Sequence, residues 1–142
     1  MDVRQITPEF AVAPQITLED VAEAARMGFR TLIDNRPDEE AGDALDSAAM
    51  AAAAAEHGLA FHYLPYYPGA MTPELVAEFE AAMEAIETPV LAWCRSGTRS
   101  SHLWAMSQAG TRPVDEIVSL AAEAGYDHTG LVPLLRMHAE RR

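Results

Sequence analysis

The chain has 142 residues, 49% of them apolar and 23% charged, which suits one globular domain able to bury a core without staples. Its formal net charge of −12 argues against nucleic acid or an anionic membrane as partner, and its single cysteine, Cys94, excludes an internal disulfide. All ten basic residues are arginine, so a Schiff-base lysine and a Walker-type phosphate loop are both excluded.

Taken in chain order, Val3–Ile6 and Phe10–Ala13 read as two short strands forming a hairpin around Thr7-Pro8-Glu9. Thr17 caps a helix that Gly28 ends. Arg30–Asp34 reads as a buried strand, followed by an acidic loop, Asn35-Arg36-Pro37-Asp38-Glu39-Glu40. Asp43–His57, rich in alanine, predicts a helix closed by Gly58, and Leu59–Leu64 a strand. An aromatic loop, Pro65-Tyr66-Tyr67-Pro68-Gly69, leads to a helix opened by Thr72 as N-cap with Pro73 at its first position, running to about Glu87.

Strand Val90–Trp93 then breaks into Cys94-Arg95-Ser96-Gly97-Thr98-Arg99-Ser100, and a helix follows over Ser100–Ala109. Two more helices are expected, over Val114–Ala124 and Leu131–Arg141. Strands separated by helices of this length indicate an α/β fold, a mainly parallel central sheet with helices on both faces. Ligands of such sheets bind beyond the carboxyl ends of the strands. The Asp34–Glu40, Pro65–Ala70 and cysteine loops should therefore meet at one pocket, within one domain spanning residues 1–142.

The cysteine loop carries the chemistry. A small, glycine-containing turn between a strand and a helix presents backbone N–H groups to an anion. A cysteine there is expected as a thiolate, favoured by the helix N-terminus and by Arg95 and Arg99. Cys94, Arg99 and Ser100 are the candidate catalytic residues. Arg95, Ser96, Gly97, Thr98, Arg36 and Tyr67 are candidates for substrate binding. Arg36 has a plainer alternative, a salt bridge to Asp38 or Glu40, and Tyr66 and Tyr67 either wall the pocket or pack on Trp93 and Trp104. The histidines at 57, 62, 102, 128 and 138 show no metal-ligand spacing, and neither metal nor cofactor is expected.

The strand and acidic loop Leu32–Glu40, with the segment Pro89–Ser100, resemble the phosphatase-like domain of beta-lactamase-hydrolase-like proteins over roughly residues 3 to 110. That resemblance implies a cysteine-phosphatase-like architecture of the dual-specificity type. Through family members joined to a persulfide dioxygenase-type domain, it also implies a sulfurtransferase role and a persulfide dioxygenase as partner. The Cys-Arg-Ser-Gly-Thr-Arg-Ser run is equally similar to the active loop of single-domain rhodaneses.

Two departures from the phosphatase pattern rank the chemistries. That pattern has His-Cys, five residues, then Arg; here Trp93 precedes Cys94, and four residues separate it from Arg99. At ~3.5 Å of reach per residue, a ring one residue shorter narrows by roughly 1 Å. The resemblance also implies an aspartate general acid in the loop after the preceding strand, yet no carboxylate lies between Leu64 and Glu74. Both favour a sulfurtransferase that moves sulfur from thiosulfate or a low-molecular-weight persulfide through a Cys94 persulfide to a thiol acceptor or cyanide. A cysteine phosphatase acting on a phosphate ester is the alternative, and a non-catalytic anion- or persulfide-sensing module the third reading. With one cysteine and no secretory pattern at Met1–Gln5, the expected location is cytoplasmic.

Overall fold

The computed structural model describes all residues, Met1–Arg142. Five strands, β1 (Arg4–Thr7), β2 (Phe10–Ala13), β3 (Thr31–Asp34), β4 (Ala60–Tyr63) and β5 (Val90–Trp93), form one sheet in the order β1-β2-β5-β3-β4. The β1–β2 hairpin is antiparallel and every other pairing is parallel. β5 lies at the centre, with Trp93 in register with Ala13 on one side and Asp34 on the other.

Period-2 alternation sends the two faces of β5 into separate cores. Leu91 and Trp93 pack with Leu32 against α1 (Leu18–Arg26) and α3 (Ser47–Glu56), through Val21, Ala24, Met50 and Ala54. Val90 and Ala92 face the larger core. It is closed by α4 (Pro73–Ala85), α5 (Thr98–Gln108), α6 (Val114–Glu123) and α7 (Val132–Glu140). There Phe10 meets Phe79 edge-on at 6.1 Å and stacks on Trp104 at 6.5 Å. The mainly parallel α/β sheet with helices on both faces is thus present.

Local capping chemistry fixes several helix starts. Thr17 and Asp20 form a reciprocal capping box at α1, and the Thr72 hydroxyl accepts the Leu75 N–H at α4. The alanine-rich helix begins later than its composition suggests. Asp43–Leu45 is a 3-10 turn, and Asp46 accepts the Ala49 N–H to start α3 at Ser47. The acidic segment is not a loop throughout, because Asp38–Ala41 winds into one turn of helix, α2. No helix is long and apolar enough to cross a membrane.

Candidate active site

β5 ends at Trp93, and the chain turns through Cys94–Gly97 directly into α5. Cys94 is fully buried, and its Sγ accepts the Gly97 N–H at 3.1 Å. Gly97 has φ +91°, the left-handed region that glycine enters at no steric cost, and any Cβ there would run into the Tyr126 hydroxyl. The position is therefore glycine for two independent reasons. Ser96 Oγ donates to Thr98 Oγ1 at 3.1 Å, and Arg95, Ser96 and Thr98 stand exposed at the rim. The first turn of α5 carries the partial positive charge of a helix start, and its Thr98 N–H reaches Ser96 Oγ at 3.4 Å.

Arg99 occupies that first turn, where a cation needs an anionic partner. Glu40 of α2 supplies it, accepting from Nη1 at 3.0 Å and from Nη2 at 2.7 Å, and Nη1 also donates to the Tyr66 carbonyl at 2.6 Å. The Arg99 hydrogen bond holds the Glu40 carboxyl below its usual range, so Glu40 is ionised. Burial alone would lower the Arg99 pKa, but the bond to Glu40 and the nearby sulfur raise it on balance. Arg36 braces the same carboxylate. Its Nε lies 3.6 Å from Glu40, an ion-pair distance too long for a hydrogen bond, while Nη2 donates to the Glu40 carbonyl and Nη1 to Gln15. Of the two roles open to Arg36, this is the salt bridge to Glu40.

Ser100 is fully buried, but its hydroxyl donates to Asn35 Oδ1 at 2.8 Å rather than to the sulfur. Asn35 ties the site together. Its N–H bonds the Trp93 carbonyl, its Nδ2 the Leu64 carbonyl, and its own carbonyl accepts from Tyr66 N–H. The three loops expected at one mouth are thus joined through one buried amide. Tyr67 is exposed and donates to Glu39, which raises the tyrosine pKa, whereas buried Tyr66 lies 6.4 Å from the His102 ring. Tyr66 shares the larger core with Trp104, while it is the Phe61 ring that lies 6.3 Å from Trp93.

Sequence reasoning missed Asn35, Gln15, Tyr126 and His128, and named Glu40 only as a partner of Arg36, not of Arg99. Asn35 and Glu40 lie in a segment already singled out, where the polar residue ending a buried strand and the cation-rich opposite loop were the available signals. Tyr126 and His128 follow α6 and carry no local pattern. An apolar cavity of about 100 Å³ between α4, α5 and α7 shares no residue with loop 94–100 and is separate from this site.

A cysteine directly after the central parallel strand, ahead of a helix that carries an arginine, is how cysteine phosphatases are arranged, and the fold is of that phosphatase-like type. Residues 2–111 match the family described as beta-lactamase hydrolase-like protein, phosphatase-like domain, and the chain belongs to it. A beta-lactamase hydrolase-like protein of Xylella fastidiosa is 31% identical over 98% of this chain, which spans only 33% of that relative. A Neisseria meningitidis protein described as a candidate phosphatase is 32% identical, with a TM-score of 0.84 over 97% of this chain and 99% of its own. P. aeruginosa TpbA in complex with pTyr shares the fold, with a TM-score of 0.66 at 16% identity over 99% of this chain and 91% of its own.

These findings overturn the ranking drawn from loop length and the missing acid. Family and structural neighbours point to a cysteine phosphatase, not to a rhodanese-type sulfurtransferase. Neither departure excludes phosphoryl transfer. A change of roughly 1 Å is small against the length of an arginine side chain, and here Gly97 still turns its N–H onto the sulfur. The thiosulfate or persulfide donor, the thiol acceptor and the dioxygenase partner fall with that ranking.

Proposed function

We propose that the chain is a cysteine-dependent phosphatase that hydrolyses aryl phosphate monoesters, phosphotyrosine among them. The observation that carries the reading is Cys94 Sγ held by a main-chain N–H at the N-terminus of α5, with Arg99 fixed beside it by Glu40. In the first step the Cys94 thiolate attacks phosphorus, an S–P bond forms, the ester P–O bond breaks, and the aryloxide departs with the electron pair to be protonated by solvent. Water then attacks phosphorus, the S–P bond breaks, and inorganic phosphate leaves with the thiolate restored. Arg99 and the N–H groups of residues 95–99 carry the charge on the phosphoryl oxygens, Arg95 draws the dianion in, and Ser96 and Thr98 line the rim. Ser100 and Arg36 act by holding Asn35 and Glu40 in place, and Tyr67 walls the mouth.

The substrate class follows from the loop Pro65–Met71, which has no carboxylate. A positioned acid is worth on the order of 10²–10⁴ in rate when the leaving group is poor. A phenol of pKa about 10 leaves unaided far better than an aliphatic alcohol, so the missing acid selects aryl over alkyl esters. Fold likeness to a protein solved with pTyr supports the same class. The test compares an aryl phosphate and phosphotyrosine with phosphoserine, each with Cys94→Ser as control. Hydrolysis of the first two at least a hundredfold faster than the third, abolished in the variant, is the expected outcome. Turnover that survives Cys94→Ser, or equal rates on phosphoserine, refutes the proposal.

A further inference from the structure

The segment after α6 lies beyond the matched family region, yet it touches the catalytic loop at several points. Tyr126 is 8% exposed, and its hydroxyl donates to the Ser96 carbonyl at 3.2 Å while standing against Gly97. His128, 2% exposed, places Nε2 2.9 Å from Ser101 Oγ, which donates to the Thr98 carbonyl. On its outer side the Tyr126 ring is covered by the Arg4 guanidinium at 5.6 Å, and Arg4 Nη1 donates to the Ala124 carbonyl at 3.1 Å. From these contacts we infer that Tyr126 is a positioning residue that latches the Ser96–Gly97 peptide in the one orientation that serves Cys94.

The argument rests on peptide planarity. In a trans peptide the C=O of residue 96 and the N–H of residue 97 point in opposite directions. Holding the carbonyl outward on Tyr126 therefore holds the N–H inward on Sγ, where it sits at 3.1 Å. The competing state is a flip of this single peptide, which would turn the carbonyl oxygen toward the sulfur. Glycine at 97 makes the flip sterically cheap, because no Cβ opposes either orientation. A carbonyl facing the sulfur repels a thiolate but tolerates a thiol, so the flipped state is the unreactive one. The Tyr126 hydroxyl is the only side-chain donor bonded to the Ser96 carbonyl.

The latch concerns the state of the sulfur and rests on the phosphatase reading only for its effect on turnover. Its test uses the full chain with Tyr126→Phe, which keeps the ring packed and removes only the hydroxyl. Arg99 from α5 and Tyr66 from the loop after β4, the other titratable groups facing the sulfur, are untouched. At one neutral pH, the rate of Cys94 alkylation by iodoacetamide and the thiolate ultraviolet absorbance should both fall, the rate by about five- to tenfold, the value of one ordinary hydrogen bond. The kcat on an aryl phosphate should fall by a similar factor, with the thermal melt little changed. Alkylation and absorbance equal to wild type would overturn the latch. A slowed alkylation in a chain whose wild type hydrolyses no phosphate ester would uphold it while removing the phosphatase reading. If Tyr126→Phe does not fold, Arg4→Gln loosens the ring from outside and should slow alkylation about twofold. An unchanged rate there equally sinks the proposal.

Discussion

Asp34 ends β3 at 2% exposure, with one oxygen accepting the Arg36 N–H at 2.9 Å. Burial first, and then the charges of Asp38 and Asp46, push its pKa from 3.8 to about 7. A carboxyl whose folded pKa exceeds its unfolded value supports the fold below the unfolded pKa, and that support is lost as pH rises through the folded one. Asp34→Asn keeps the accepting oxygen and removes the charge. Its stabilisation over wild type should therefore grow from about pH 4 to about pH 7 and stay level above, read from thermal melts across that range. His102 slopes the other way, since burial and His128 push its pKa from 6.5 to about 4 and the unfolded state takes the proton first. The variant is accordingly compared with wild type at each pH. A gain independent of pH would show that Asp34 is not buried as an acid.

At the scale of elements, the single turn α2 fixes the Arg99 guanidinium through Glu40. Glu40 presents both oxygens to it in a bidentate pair, a geometry that also orients the guanidinium plane. Glu40→Gln should raise KM for an aryl phosphate and lower kcat/KM by about tenfold, through a guanidinium no longer held. A lower KM would show instead that Glu40 competes with the substrate for Arg99. This turn also marks where the sequence stops being legible. The strands, the order of layers, the caps at Thr17 and Thr72 and the cysteine loop all follow from local pattern, because each is set by neighbours within a few residues. The Arg99–Glu40 pair joins positions 59 apart and the Ser100–Asn35 pair positions 65 apart, so only the assembled sheet brings them together. The Ser100 hydroxyl likewise finds its acceptor, Asn35 Oδ1, only in the assembled fold.

For the molecule as a whole, α6 and α7 are structural parts of the phosphatase-like fold rather than appendages. Ile117, Ala121, Tyr126 and Leu135 belong to the same buried cluster as Phe10, Phe79 and Trp104. A chain ending at Thr111 uncovers Leu103 and Trp104 and forfeits several side chains at roughly 1.5–3 kcal/mol each, more than a small domain can spare. It should show no cooperative melt by circular dichroism; a sharp transition in that truncation would place the fold's stability within residues 1–111. The groups that bear on Cys94 come from Gln15, Asn35, Glu40, Tyr66 and Tyr126, spread over nearly the full length of the chain. A polypeptide still emerging during synthesis, with its last helices unmade, consequently holds Cys94 without the Tyr126 contact to the loop beside it. If Cys94 is the nucleophile proposed above, activity should appear only with the final docking step.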